Sequence, residues 1–365
     1  MKKYKDMICT AIVGMVFASM AIAAWVLPPK EFSESERRKL AQFPEPSLKT
    51  VKGGSFAAEF ESYTQDQFPM RDAFRTIKAL CVYDVFGQLD NNGIYIKDGY
   101  AAKLEYPLNE NSVNHAADRF QYIYENFLRD KNVNAYFSIV PDKSYFLAKQ
   151  NGYPSMDYEK LFTIMQDKMS YAEYIDITGT LDITDYYKTD THWRQEKLTD
   201  TAAEIAAGMG VTLSVKYTQK TLDYPFYGVY YGQSALPLPA ETIYYLTNSV
   251  LDGCEVTNHE QGTVGGIYDM DKATGKDPYE IFLSGSVSLL TIENQNCEKD
   301  RELIIFRDSF ASSIAPLLVE GYAKITLVDI RYLRADFLDK FIEFNNQDVL
   351  FLFSTLVLNN SETLT

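Results

Sequence analysis

Uncharged residues run unbroken from Met7 to Leu27, and beyond Pro28-Pro29 the chain changes to a mixture of helical and strand spacings that lasts to its end. Phe56, Phe60 and Tyr63, then Phe74, Ile77 and Leu80, recur at three- and four-residue intervals around a break at Phe68-Pro69, which predicts two helices. A strand from Gly93 turns at Asp98-Gly99 and returns through Leu104. The pattern next predicts helix 112–130, and Ala135 to Val140 is a continuous apolar run ending in Pro141-Asp142-Lys143, as expected of a buried parallel strand opening into a loop. Helix 157–170, strand 173–177 and helix 195–208 continue the alternation. Strands 303–306, 325–328 and 349–353, with helices 310–321 and 335–344 between them, complete it.

Five such apolar runs predict an α/β fold: a parallel sheet of about five strands flanked on both faces by helices. Residues 211–300 break the rhythm. They are rich in Tyr and Gly, carry short β-like runs at Thr242–Leu246 and Ile281–Leu283, and read as a β-rich insertion or lid. The expected layout is a membrane signal-anchor at 1–27, a linker at 28–55 around Phe43-Pro44-Glu45-Pro46, the first part of the α/β domain at 56–210, the insertion at 211–300, and the second part of the domain at 301–365.

The N-terminus sets the expected compartment. Lys2, Lys3 and Lys5 precede the uncharged run. About 20 apolar residues cover the roughly 30 Å hydrocarbon layer, and the lysines hold their own end in the cytoplasm. The expected state is a single-pass protein of the cell membrane with the rest of the chain outside. A cleaved signal peptide is the competing reading, because Ala21-Ile22-Ala23 offers a small-residue cleavage site. Charge narrows the partners. With 35 Lys+Arg against 50 Asp+Glu and a net charge of −15, the chain lacks the clustered cations that a phosphate backbone needs, so no nucleic-acid partner is expected. Three His and no C-x-x-C argue against a zinc site, and no metal or cofactor is expected. Cys254 and Cys297 are the pair able to form a disulfide outside the cell. Twenty-seven Tyr and 22 Phe could furnish either core or a sugar-stacking cleft.

Two motifs carry chemistry. In Asp190-Thr191-His192-Trp193, before helix 195–208, the carboxylate and imidazole stand two apart on one side of an extended segment, so Asp190 can accept from one ring nitrogen and leave the other to take a proton. A turn-capping pair is the plainer alternative. In Phe306-Arg307-Asp308-Ser309-Phe310, the serine falls between a strand and a helix, at the sheet edge where ligands bind, with its N–H at a helix start suited to an oxyanion. An ordinary helix cap would read the same way. Acyl transfer needs a hydroxyl nucleophile, a His to take its proton and a carboxylate to hold the His, and this chain can supply all three.

These residues resemble the DHHW family and its relatives, the alginate O-acetyltransferases AlgJ and AlgX. The resemblance rests on Asp190-Thr191-His192-Trp193, Arg307-Asp308-Ser309-Phe310 and Val328-Asp329-Ile330-Arg331-Tyr332. It extends to Ser33–Pro44 with Glu36-Arg37, to Asp66-Gln67-Phe68-Pro69-Met70-Arg71, to Pro141-Asp142-Lys143 and to Tyr227-Gly228-Val229-Tyr230-Tyr231. It implies an SGNH-hydrolase-like fold with permuted motifs, Ser309 as nucleophile, His192 as general base and Asp190 as its orienting carboxylate. Lys143, Arg331 and Trp193 are candidates for substrate or oxyanion contacts, Trp193 more as a wall behind the loop. The implied activity is extracytoplasmic O-acetyl transfer to an exopolysaccharide or other envelope glycan, with the acyl donor handed across by a membrane-bound O-acyltransferase. A carbohydrate esterase with the same triad and a non-catalytic glycan-binding scaffold are the alternatives.

Overall fold

A computed structural model describes residues 2–33, 35–297 and 300–365. The chain divides into two units, Met1–Asn91 with Tyr231–Pro237, and Asn92–Tyr230 with Leu238–Thr365.

The second unit holds the main sheet, whose strands in chain order are β1 (Asn134–Val140), β2 (Glu173–Tyr174), β3 (Cys254–Asn258), β4 (Thr263–Gly265), β5 (Leu289–Asn294), β6 (Glu302–Arg307), β7 (Lys324–Val328) and β8 (Asp348–Ser354). Across the sheet they lie β4-β3-β5-β7-β6-β8-β1-β2. The five strands from β7 to β2 are mutually parallel. They are the five apolar runs, as the sequence predicts. β3, β4 and β5 extend the β7 edge antiparallel, so part of the 211–300 region is sheet.

Strand alternation sorts the core onto two faces. Leu350 and Leu352 of β8, with Leu303 and Ile305 of β6, pack with Leu198, Ile205 and Ile314. Val349, Phe351 and Phe353, with Ile304 and Phe306, face the other way onto Val113, Phe120, Leu161 and Met165. The covering helices are α2 (Glu110–Ile123) and α3 (Tyr158–Lys168) on one face, and α4 (Thr199–Gly208) and α5 (Ala311–Leu318) on the other. All of β8 is buried, which is why it reads as one apolar run rather than an alternating strand.

Several elements differ from their periodicity. After Ile123 the predicted helix widens into a π turn, Tyr124–Leu128, because Ile123 and Leu128, five apart, both enter the core. The predicted helix 335–344 is a 3-10 segment, Ala335–Lys340, whose buried residues Ala335 and Leu338 stand three apart, the spacing at which 3-10 side chains eclipse. The β-like run near 281 is a 3-10 turn, Pro278–Ile281, followed by an isolated bridge from Phe282 to Tyr268. Cys254 and Cys297 are free thiols, as are Cys9 and Cys81.

The first unit begins with α1 (Lys2–Val26), whose segment Tyr4–Val26 is long and apolar enough to cross a membrane. Helices Ser55–Asp66 and Arg71–Leu80 flank the Phe68-Pro69 break. Glu36 accepts ion pairs from Arg71 at 2.6 Å, Arg38 at 3.2 Å and Arg75 at 3.3 Å, and Arg38 grips Asp66 at 2.6 Å. The Arg38 contact, partly offset by burial, holds the Asp66 carboxyl down at about 2.

Candidate active site

Ser309 sits in the turn between β6 and α5. Its neighbour Asp308 is buried and spends both carboxylate oxygens on backbone: Oδ1 accepts from Phe310 N at 3.0 Å and Oδ2 from Ser354 N at 2.7 Å. The turn is thus pinned to the end of β8, two strands' C-terminal ends being drawn together. Among the described residues nothing accepts from the Ser309 backbone N–H, and the side chain is half-buried.

The loop that precedes α4 is closed on itself. Tyr186 and Trp193 form an antiparallel bridge, Tyr187 N donates to His192 O, and Arg194 N to Asp185 O. Inside it, Asp190 Oδ1 lies 2.6 Å from His192 Nδ1 and accepts from the His192 backbone N at 3.0 Å, while Oδ2 accepts from Val229 N at 2.8 Å. His192 Nε2 is 2.8 Å from Ser309 Oγ. A carboxylate against Nδ1 requires that nitrogen to carry the hydrogen, so Nε2 presents its lone pair to the serine hydroxyl. Asp190 is 1% exposed and His192 8%, so the relay runs from protein interior to a half-open hydroxyl.

The other three candidates take different places. Trp193 is wholly buried, its Nε1 donating to Phe310 O at 3.0 Å and Ser313 Oγ at 2.9 Å. It fastens the His192 loop to the serine turn and offers no face to a sugar, which corrects its candidacy as a substrate contact. Lys143 is buried, and its ammonium donates to Tyr187 O at 2.9 Å and Lys188 O at 3.3 Å and lies 4.9 Å above the Tyr230 ring. Burial pushes its pKa down to about 7 against the attraction of Asp190, Glu241 and Asp142. Arg331 forms a two-pronged pair with buried Asp329, Nε to Oδ1 at 2.8 Å and Nη2 to Oδ2 at 2.6 Å. Neither cation hydrogen-bonds Ser309.

Further residues complete the site. Tyr279, from the 211–300 region, stacks on the His192 ring with centroids 4.0 Å apart and planes 9° from parallel, and its hydroxyl bonds Ser313. Phe310 lies tilted to the same His192 ring, with centroids 5.1 Å apart. Glu241 accepts from Lys188 N, Thr189 N and Thr189 Oγ1 at 2.7, 2.6 and 2.6 Å, clamping the loop's outer side. Arg307 is buried, donating to Ser312 Oγ, Gly285 O and Val287 O, so it ties the segment before β5 to α5 beneath the serine turn. Arg307 stands in the quoted motif. The roles of Tyr279 and Glu241 have no local signal.

No family model and no curated protein matches the chain. Solved structures do. A DHHW family protein from Eubacterium siraeum is 22% identical, with a TM-score of 0.62 over 75% of this chain and 95% of that one. The chain has the fold of a DHHW family protein. Bacillus cereus PatB1 is 19% identical, with a TM-score of 0.59 over 73% of this chain and 96% of its own. PatB1 with a sulfonyl adduct gives 19%, 0.55, 73% and 97%. The shared fold covers nearly the whole of each of these neighbours.

Proposed function

We propose that this protein is an extracytoplasmic O-acetyltransferase that acylates hydroxyl groups of an exopolysaccharide or another cell-envelope glycan. The observation that carries the reading is the hydrogen-bonded line Asp190–His192–Ser309, with contacts of 2.6 and 2.8 Å. Ser309 Oγ attacks the carbonyl carbon of an acyl ester or thioester while His192 Nε2 takes the hydroxyl proton. The bond to the leaving group breaks, and His192 returns the proton to it. A sugar hydroxyl then attacks the Ser309 ester, His192 takes that proton, and Ser309 Oγ leaves and recovers it. Asp190 holds the ring and balances the imidazolium, whose charge also meets the Tyr279 face. The free Ser309 N–H supplies one oxyanion donor.

Ser309 is half-exposed, so water can act as the acceptor, and esterase activity is the same mechanism's second outcome. The donor in the cell is an activated acyl group presented outside the membrane, consistent with delivery by a membrane-bound O-acyltransferase, and α1 keeps the enzyme beside it. The test uses the full chain in detergent with p-nitrophenyl acetate, followed by intact mass and ester turnover. An acetyl adduct is expected on the wild type and none on Ser309→Ala, whose turnover falls about a thousandfold or more. A sulfonyl fluoride should label the same residue. Equal turnover and no adduct in either protein would sink the proposal.

A further inference from the structure

Helix Arg71–Leu80 turns the wrong face outward for a protein in water. Its buried residue is the small Ala79. On the opposite face, Met70, Phe74 and Ile77 follow at four- and three-residue steps and are 71%, 43% and 56% exposed. Phe68 continues the patch, its ring 5.5 Å from Phe74. Met70 takes a left-handed backbone, φ +58°, uncommon for a side chain of this kind. A patch of large apolar side chains on one helix face marks a surface that another phase or partner covers.

The chain itself says where this patch lies. α1 ends at Val26, and four residues later Lys30 is bound to Gln67 from both sides, Lys30 N to Oε1 at 2.8 Å and Nε2 to Lys30 O at 2.8 Å. Four residues reach at most about 14 Å. Leu27, Pro28 and Pro29 also line one cleft, of about 640 Å³, together with Phe68, Pro69 and Met70. The residues that leave the end of α1 therefore share a cleft with the patch, within about 14 Å of chain from the end of the span, close to the interfacial layer in which apolar helix faces seat.

We infer that Phe68, Met70, Phe74 and Ile77 form a membrane-surface foot that seats in the outer leaflet beside the exit of α1. The occupant of the patch is lipid. The foot holds the first unit flat on the bilayer, so that the segment after α1 is a fixed mount and not a free tether. This rests on reading Tyr4–Val26 as a retained membrane span, but its test reads separately.

The full chain, reconstituted in phosphatidylcholine nanodiscs, is compared as Met70→Trp, Ile77→Trp and Glu61→Trp variants, the last on a polar position of the neighbouring helix. Lipids brominated along the acyl chain serve as quenchers, and the parent signal from Trp25 and Trp193 is subtracted. Quenching of the first two reporters by shallow bromines should exceed that of Glu61→Trp by at least about twofold. Equal quenching at all three positions overturns the inference. So does protection of residues 70 and 77 in native membranes only, since that assigns the patch to a protein. Intact mass of the membrane fraction reports retention of residues 1–26 independently. A cleaved chain whose reporters are still quenched on added vesicles refutes the anchor and keeps the foot.

Discussion

Asp190 divides its work between two oxygens. One orients the His192 ring and its backbone, and the other is occupied by Val229 N, so the carboxylate cannot rotate away. Asp190→Asn should keep the fold but present an amide where Nδ1–H needs an acceptor, inverting the tautomer; acyl-ester turnover should drop by about 10⁴ with little change in thermal midpoint. Turnover within tenfold of wild type would remove Asp190 from the mechanism. Lys143 acts on the same loop through Tyr187 O and Lys188 O, faced by Asp142 from its own turn, Asp190 from the loop, Glu241 from across it and the Tyr230 ring. Its pKa is near 7 in the folded protein and 10.5 ordinarily. Between those values the unfolded chain holds a proton that the folded one has shed, so the wild type gains stability over Lys143→Met as pH rises from 7 towards 10.5. Below 7 both states are protonated and the difference is flat. Denaturant melts of both proteins across that range check it, and a difference that falls with pH would contradict the assignment. The neutral amine still donates, so the loop stays tied on both sides of the transition. Asp190, His192 and Ser309 were legible in the sequence because a motif places each beside a predicted strand or helix end. Tyr279 was not, because its stacking partner lies 87 positions away and nothing in Pro278-Tyr279-Glu280 distinguishes it from a core tyrosine.

At the scale of elements, the site depends on a close crossing of two segments. Gly228 passes so near the loop that a Cβ there would lie 2.3 Å from Asp190 N and from the Thr189 carbonyl, while its own N–H donates to Thr189 Oγ1. Tyr230 N then donates to Thr189 O, completing the seam. Gly228→Ala must push this seam apart, and a shift of about 1 Å at the base costs on the order of 10² in rate. The expected result is that loss in kcat at near-normal KM, measured with a soluble acyl ester; an unchanged kcat would mean that the loop tolerates the displacement. The apolar spacing predicted the helices that cover the sheet, and its errors among the helices were of one kind. At Tyr124–Leu128 and Ala335–Lys340 the chain keeps buried residues five and three apart, and the pitch follows the core rather than the α period. The hairpin Ile94–Lys97 and Tyr100–Lys103 was readable because Asp98 and Gly99 supply the two positive φ values, 51° and 81°, that its turn demands.

For the whole molecule, membrane attachment is the property that the proposed activity most depends on. Intact mass of the protein from the membrane fraction should include residues 1–26, and carbonate washing should leave it in the pellet; a chain beginning after Ala23 would make the run a signal peptide. By itself the sequence determined the uncharged N-terminal segment, the five-stranded parallel core and the residue types of an acyl-transfer relay. These are local properties: a run without charge, a period of burial and a motif are each written within a few tens of residues. The tertiary structure alone decided which strands adjoin, that β3, β4 and β5 widen the sheet, that His192 Nε2 meets Ser309 Oγ, and that Tyr279, Glu241 and Lys143 brace the loop between them. It also gave Arg331 to Asp329 and Trp193 to the serine turn. Such pairings follow from the order in which the chain crosses the sheet, and no local pattern encodes which distant side chain completes a hydrogen bond or a stack.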